Sequence, residues 1–463
     1  MPYQQVLQQA AGRDPVRIAV LGAGKFGGGI VGHAAYVAAL RVCAVADTNL
    51  QAARRAYQQA GVPESEVAAC DDARQATVAF EAGRYIVTTN AHILFGLPLD
   101  VVVEATGSAE AGADHAQAAI IHGKHVAMVT KEADAAVGPI LKRRADAAGV
   151  VYTAVDGDQH GLLIGLVSWA RMVGLEVLCG GKMLDAELLV EHTPPAILHH
   201  GQRLFLTPQD AADFTPFSGR LLDSSGRRAH QLGGIGGAKP WDIAELTIAA
   251  NATGLVPDVP QTHCPVCWAT EIPALLCPFE FGGLLAGPGR IDAAQILRQP
   301  HEAGLGGGVF VVVGIRGEAM RQIMTTKGMI CHPNGDTALL MHPYHLLGIE
   351  AIGSILAAAI LQVPTGAVDY RPRFDMVYRT TRPLAAGEYL GGDHSPALSA
   401  EIVPAVRLTP AAAVPAGLAC GTRLRRPVPA ATLITGADIE RPAGSILWTL
   451  RDEQEEAFPS RQS

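Results

Sequence analysis

Two lysines and a short acidic–histidine cluster are the residues of this chain best suited to moving a proton. Lys131 follows the β-type run His125–Thr130, and Lys182 follows Glu176–Cys179 and Gly180-Gly181. Each lysine is therefore expected at the C-terminal end of a strand, the end at which open α/β sheets bind ligands. A lysine there can polarise a carbonyl or relay a proton; a solvated strand-end lysine is the alternative. Asp156, Asp158 and His160 follow the strand run Val150–Val155. Their carboxylates can hold a substrate hydroxyl, a lysine or a divalent metal, or Asp158 can cap the helix beginning near Gly161 while His160 faces solvent. His342, Tyr344 and His345 lie where a loop enters an apolar helix expected over Tyr344–Leu361, placed either to touch substrate or to anchor that helix. Asn251 and Glu245, on a helix expected over Ile243–Ala250, complete the polar candidates. His263, Cys264 and Cys267, with Cys277 nearby, have metal-ligand spacing, but no second C-x-x-C accompanies them and packing accounts equally for Cys267. A metal requirement stays open.

What these groups act with is written near the N-terminus. The β-type run Val16–Leu21 leads into Gly22-Ala23-Gly24-Lys25-Phe26-Gly27 and then into an apolar helical run, which is G-x-G-x-x-G between a strand and a helix. Gly22 permits the tight turn, Gly24 lets backbone approach a pyrophosphate, and Gly27 lets helix pack on strand. The helix N-terminus offers N–H groups and a positive dipole end to the phosphates. A second strand run, Val42–Ala46, ends in Asp47, roughly 20 residues on, where an acidic side chain meets the adenosine ribose. Asp47 favours NAD and repels the 2′-phosphate of NADP, whereas Arg54 and Arg55 can reach such a phosphate. The nicotinamide is expected near Thr106, Gly107 and Lys131.

The alternation of strand and helix over residues 15–150 predicts a doubly wound parallel sheet, the α/β class. The segment Asp71–Leu97 is longer than a standard crossover and is read as a cover for the cofactor. Helices are expected over Asn49–Gly61, Glu110–Gly123, Val137–Gly149 and Leu162–Gly174. From Glu187 to Gly308 the chain is rich in Pro, Gly and His, as a substrate domain of few strands and long loops is. Arg382–Leu390 is echoed by Arg426–Ile434, so a small β module is expected near 370–445, with the acidic segment Arg451–Ser463 frayed. The boundaries read are 1–156 for cofactor binding, 157–369 for substrate and dimerisation, 370–450 for the β module and 451–463 for the tail. At 463 residues, with 17% charged and a net charge of −8, the chain reads as a well-buried globule without the clustered cations that nucleic acid demands. The longest apolar helical run, near Ala351–Leu361, is too short to cross a bilayer. The N-terminus lacks a signal-peptide pattern, and eight cysteines in so long a chain are not a disulfide scaffold. A cytoplasmic protein acting on a small molecule is the expectation.

Taken together these residues resemble a known family, oxidoreductases with a homoserine dehydrogenase-like cofactor domain and a C-terminal SAF (β-clip) domain, among them a second class of 1-deoxyxylulose-5-phosphate reductoisomerase. The resemblance extends over residues 15–445. It is carried by Glu104-Ala105-Thr106-Gly107, Gly112-Ala113-Asp114-His115, Gly123-Lys124-His125-Val126, Glu132-Ala133-Asp134 and Val137-Gly138-Pro139. Gly157-Asp158-Gln159, Asn251-Ala252-Thr253-Gly254, Pro257-Asp258-Val259-Pro260 and Pro343-Tyr344-His345-Leu346 continue it. The resemblance implies NADP, a homodimer, substrate-handling roles for Lys131 and Lys182, and reductoisomerase-like chemistry. Two departures bear on the substrate. Val129-Thr130-Lys131 is similar to the segment of true homoserine dehydrogenases, and His160 stands where Pro is common. A homoserine dehydrogenase-like alcohol dehydrogenase is therefore the second expectation, and a non-catalytic nucleotide-binding scaffold the third.

Overall fold

The computed structural model describes residues 3–459. Its first sheet is built from β1 (Val16–Leu21), β2 (Leu40–Ala46), β3 (Val67–Ala69), β4 (Tyr85–Thr88), β5 (Val101–Glu104), β6 (His125–Met128) and β7 (Tyr152–Ala154), in the order β3-β4-β2-β1-β5-β6-β7. Every neighbouring pair is parallel. Strands buried on both faces read as continuous Val, Ile and Ala, which is why β1, β2 and β5 show no polar alternation. The order reverses at β1, whose two neighbours are β2 and β5, so the crevice at its C-terminal end is the switch point at which such sheets bind ligands. Gly22 follows β1 directly. The segment 71–97 holds a helix Ala73–Glu81, the sheet strand β4 and a short turn of helix Ala91–Leu94.

A second sheet is mixed. It contains β8 (Glu176–Met183), β9 (Leu188–His192), β10 (Pro195–His199), β11 (Gln202–Phe205), β12 (Val256–Pro257), β13 (Val266–Trp268), β14 (Arg290–Arg298), β15 (Val309–Gly314) and β16 (Thr337–His342). The path runs β11-β10-β9-β14-β8-β15-β16, with β12 and β13 paired to β14. β8 thus lies between β14, parallel to it, and β15, antiparallel. The segment expected to be mostly irregular, 187–308, carries much of this sheet and two full helices, Leu221–Gln231 and Pro240–Thr253. The latter has Pro240 in its first turn, an Asp242 carboxylate accepting from the Lys239 N–H (2.7 Å), and a left-handed Gly254 at its C-terminus.

Contacts divide the chain into two compact units in place of the linear boundaries at 156, 369 and 450. One runs through Gly161 and takes in Leu346–Leu398 and the segment from Ala405 on; the other comprises Leu162–His345 and Ser399–Pro404. In the first unit, Ala351, Ile352, Ile355 and Leu356 join the core beneath β1 and β2. Among the described residues no helix is long and apolar enough to cross a membrane.

The tail holds a β module that makes the repeat physical. Leu384 and Val428, equivalent positions 44 residues apart (382 pairs with 426), exchange both backbone hydrogen bonds, at 2.9 and 3.0 Å. Around that self-pairing the contacts are reciprocal. Gly387 N donates to Leu424 O and Ala431 N to Thr380 O, both at 2.8 Å, while Leu390 N donates to Thr422 O and Ile434 N to Tyr378 O, at 2.9 and 3.1 Å. Each pair is the other shifted by the same offset, so the copies are related by a pseudo-two-fold axis. Gly387 (φ +81°) and its counterpart Ala431 (φ +56°) share the left-handed turn conformation. Beyond the module the chain is not frayed as far as it is described. Residues Ile446–Ala457 form a helix with Arg451 and Gln454 buried, and Gln454 bonds Ile140 N and Ala136 O (3.2 and 3.1 Å). Residues 460–463 lie outside the described residues.

Candidate active site

In the first unit the glycine turn has the geometry its spacing implies. A Cβ on Gly22 would lie 2.4 Å from Ala105 O, and one on Gly27 would lie 2.0 Å from Gly22 O, so both positions exclude a side chain. Gly24 differs: a Cβ there would meet nothing within 4 Å. Gly24 is the N-cap of the helix Lys25–Ala34 and no side chain caps that helix, so its first N–H groups face open space of the kind a pyrophosphate fills. The residues fit a dinucleotide. Lys25 is exposed and Phe26 packs against the core. A cavity of about 280 Å³ opens beside the turn, lined by Gly24, Lys25, Gly28, Gly29, Ala52 and Arg55. The two arginines part company here, since Arg54 is paired with Glu64. Asp47 is engaged by the turn itself: Oδ2 accepts from Ala23 N and Oδ1 from Asn49 N, both at 2.7 Å.

Beyond β5, Thr106 donates to Glu104 Oε1 (2.7 Å), and Gly107 N donates to Thr130 Oγ1 (3.0 Å). Lys131 follows β6 as expected and opens a helix, Lys131–Ala147, six residues earlier than the sequence pattern predicts. That early start brings Glu132 and Asp134 into the first turn. Burial pushes the Glu132 carboxyl up to about 7, opposed by its own backbone N–H and by Lys131, with Asp158 adding to the rise. Asp134 is fully buried and is also pushed up by burial, while nearby His160 and the hydroxyls of Tyr152 (2.8 Å) and Tyr370 (3.2 Å) favour its ionised form. Gly138 makes room for this arrangement, since a Cβ there would lie 1.9 Å from Asp134 Oδ1. His160 is 1% exposed rather than solvent-facing, its ring nitrogens have no hydrogen-bond partner, and Nδ1 stands 3.9 Å from Asp158 Oδ1. Asp158 accepts from Gln159 N (2.9 Å) at the start of the helix Gln159–Met172, and Asp156 N donates to Ser354 Oγ (2.8 Å). Lys131 and Asp158 thus act electrostatically on Glu132, and His160 on Asp134, two carboxyls that the residue pattern alone did not single out as functional.

In the second unit Lys182 is not beyond a strand but within one. It pairs with Ala293 of β14 and Val309 of β15, one residue before β8 ends. The preceding glycines allow β8 to lie so deep: a Cβ on Gly181 would meet Asp292 O at 2.3 Å and the Phe310 ring at 2.5 Å. Lys182 is 1% exposed and its ammonium is paired with Asp242 (2.6 Å) and, more closely, with Glu245. These carboxylates are three residues apart on one helix face, a spacing readable in the sequence had both ends been sought. Asp185 lies near them. Desolvation raises its carboxyl, with Lys182 opposing, although Asp185 is itself exposed to solvent. His345 Nδ1 contacts Gly307 O (2.8 Å), and a Cβ on Gly307 would crowd both His345 and Asp185. Tyr344 and His345 do not begin a helix; they lie in the loop after β16, Tyr344 half exposed and stacked edge-on to His342. Asn251 is buried on the Asp242 helix, six residues beyond Glu245 and on another face. His263 is bound to Asp292 (2.7 Å), while Cys267 and Cys277 are core residues, so these three do not gather as metal ligands.

Residues 22–153 match the family model described as homoserine dehydrogenase, NAD binding domain, and residues 235–351 match the one described as oxidoreductase DRL, catalytic domain. The first match lies over the glycine turn and the parallel sheet, the second over the helix bearing Asp242, and neither reaches half of the chain. The DRL-type match covers the helix bearing Asp242 and Glu245 and the loop bearing His345; the NAD-binding match covers the glycine turn, Asp47, Thr106 and Lys131. No curated protein matches this chain. Among solved structures, GenD2 from gentamicin A biosynthesis in complex with NAD is similar at 18% identity and a TM-score of 0.27, over 37% of this chain and 45% of its own. A 1-deoxy-D-xylulose 5-phosphate reductoisomerase from Zymomonas mobilis in complex with NADPH is similar at 21% identity and 0.27, over 37% and 46%. A probable dehydrogenase from Thermotoga maritima is similar at 12% identity and 0.36, over 75% and 90%. The chain thus spans under half the length of the first of these.

Proposed function

We propose that this chain catalyses hydride transfer between a nicotinamide cofactor and a small polar carbonyl or hydroxy compound, with Lys182 as the proton-transferring group. The observation that carries this reading is the buried Lys182 ammonium compensated by Asp242 and Glu245. An ammonium held by two carboxylates and shielded from bulk water can donate to a developing alkoxide without losing its proton to solvent. When bound, the cofactor supplies or accepts the hydride. The chain's own part is to hold the pyrophosphate at Gly24 and the uncapped helix, to orient the nicotinamide with Thr106, Gly107 and Lys131, and to hold the substrate oxygen at Lys182, with Asp185 and His345 as further polar contacts. Asn251 and Tyr344 are assigned no step.

The finer form suggested by family resemblance is reductoisomerase-like turnover of a sugar phosphate. A specific observation favours the plain alcohol dehydrogenase instead. A carbon-skeleton shift needs a metal or equivalent clamp on vicinal oxygens, and in the second unit Asp242 and Glu245 are already committed to Lys182. No three potential metal ligands converge among its described residues, so no step is routed through a metal. For the cofactor, the Asp47 carboxylate at the end of β2 favours NAD, and Arg55 is the group able to meet a 2′-phosphate. The tail is assigned as an SAF-like module on its pseudo-two-fold pairing, and a cytoplasmic homodimer is expected, which light scattering tests.

The deciding experiment is titration with NADH and NADPH followed by a turnover screen of homoserine, hydroxy acids and deoxyxylulose phosphate. Reduction or oxidation of any of these that is lost in Lys182→Ala supports the reading. Turnover unchanged in that variant removes Lys182 from the mechanism, and binding of neither cofactor overturns the reading as a whole.

A further inference from the structure

Away from the cofactor turn, the first unit carries a second cluster of chemically capable side chains. His92 stands on the short helical turn after β4, and Asp114 and His115 lie on the helix Ala109–Ile121 that follows β5. One donor atom from each lies within 4.8 Å of the other two, the single such convergence of three metal-capable side chains among the described residues. His92 Nε2 is 2.7 Å from Asp114 Oδ2.

A second feature separates this group from an ordinary surface hydrogen bond. The other ring nitrogen chemistry is already arranged: His115 Nδ1 contacts Glu104 Oε1 at 3.3 Å, and Glu104 is completely buried at the end of β5. A buried carboxylate behind a histidine fixes the tautomer with the proton on Nδ1 and leaves Nε2 as a lone-pair donor, the outer-shell arrangement that supports metal-bound imidazoles. Glu104 is itself steadied by the Thr106 hydroxyl on the same oxygen, and its Oε2 has no partner. The imidazoles are also held by packing, since the buried Phe95 ring stands edge-on to His92 (5.4 Å between centroids) and beside His115 (6.4 Å).

We propose that His92, Asp114 and His115 form a binding site for a divalent transition metal, with Zn²⁺ as the best-suited ion and Glu104 as the residue that positions His115. Two imidazole nitrogens and one carboxylate oxygen are a borderline donor set suited to Zn²⁺ rather than to Mg²⁺ or Ca²⁺, which take oxygen. A tetrahedral ion with bonds of about 2.0–2.1 Å sets its donors roughly 3.3 Å apart, so the farthest donors need close by no more than about 1.5 Å while the His92–Asp114 pair opens by about 0.6 Å. The His92 side chain is about half exposed (52%), which gives the ion a path from solvent and the fourth position to water.

The test uses the full chain stripped of metal with a chelator and titrated with Zn²⁺ by calorimetry. The expected result is one equivalent bound by the unmodified protein, at least about tenfold weaker in His92→Ala and Asp114→Asn. Glu104→Gln should weaken it about 10–100-fold, the usual cost of losing an outer-shell partner. Because His92 and Asp114 lie toward the surface, those two variants retain the fold, which circular dichroism checks independently of Zn²⁺. No binding by the unmodified protein, or equal affinity and stoichiometry in His92→Ala and Asp114→Asn, overturns the site.

Discussion

Lys182, Gly24 and Glu132 each give a distinct outcome at the residue scale. Lys182→Ala is expected to lower kcat by about 10²–10⁴-fold, the usual worth of a positioned acid–base group, while NAD(P)H affinity, read by fluorescence titration, stays unchanged. Gly24→Val should do the reverse. Its φ of −70° and the empty space beyond it accept a side chain in the free protein, so the melting temperature holds, but the new methyl groups fill the pyrophosphate position and cofactor binding is lost. Glu132 governs a pH dependence. Its carboxyl is raised from the ordinary 4.5 to about 7 in the folded chain, so the folded state binds that proton more tightly than the unfolded one. This contribution is complete below about pH 4.5 and is lost as pH rises through about 7, an effect on the order of 3 kcal/mol. Urea midpoints at pH 5 and pH 8 should therefore differ more for the unmodified protein than for Glu132→Gln; equal differences would refute the assignment.

Elements place these residues through close backbone approach. β8 reaches its depth only because position 181 lacks a side chain. Gly181→Ala puts a Cβ against Asp292 O and the Phe310 ring, and neither backbone nor packed ring can yield freely. A loss of about 1–3 kcal/mol is expected in denaturant unfolding, together with reduced kcat, because the strand carrying Lys182 is the one displaced. The helix Lys131–Ala147 works differently. Its start at Lys131 rather than near Val137 turns a strand-end lysine into the opening residue of a turn that also carries Glu132 and Asp134. Local pattern favours the later start because it places Pro139 in the first turn, where proline is tolerated, and not in the helix interior. The Tyr370 hydroxyl contact with Asp134 and the space at Gly138 come from a segment more than 200 residues away.

Within the larger, discontinuous unit, the tail is part of the structure rather than an appendage. Arg451, 2% exposed, makes a two-pronged pair with Asp375 (2.6 and 2.8 Å) and a further bond to Glu455 (2.9 Å). Arg451→Ala would leave the Asp375 carboxylate buried without a counter-charge, a change that typically costs about 3–5 kcal/mol. A fall in the unfolding midpoint is expected, and Asp375→Asn combined with Arg451→Met should recover part of it. An unchanged midpoint in Arg451→Ala would return the tail to the frayed state its acidic composition implied.

Much of this protein was legible in its residues. The glycine spacing, the unbroken apolar strands and the βα alternation dictated the parallel sheet and its cofactor turn, because those signals are local: backbone clearance at Gly22 and Gly27, and burial on both strand faces, leave their mark within a few residues. The repeat in the tail was equally visible, since Arg382-Pro383 and Arg426-Pro427 open two segments of similar apolar pattern. The tertiary structure alone decided which charges meet. Lys182 with Asp242 and Glu245, Asp134 with Tyr370, and Arg451 with Asp375 are separated by 60 to 236 residues. Their partnership follows from desolvation, which obliges each buried charge to find an opposite or a hydrogen-bond partner wherever the chain brings one.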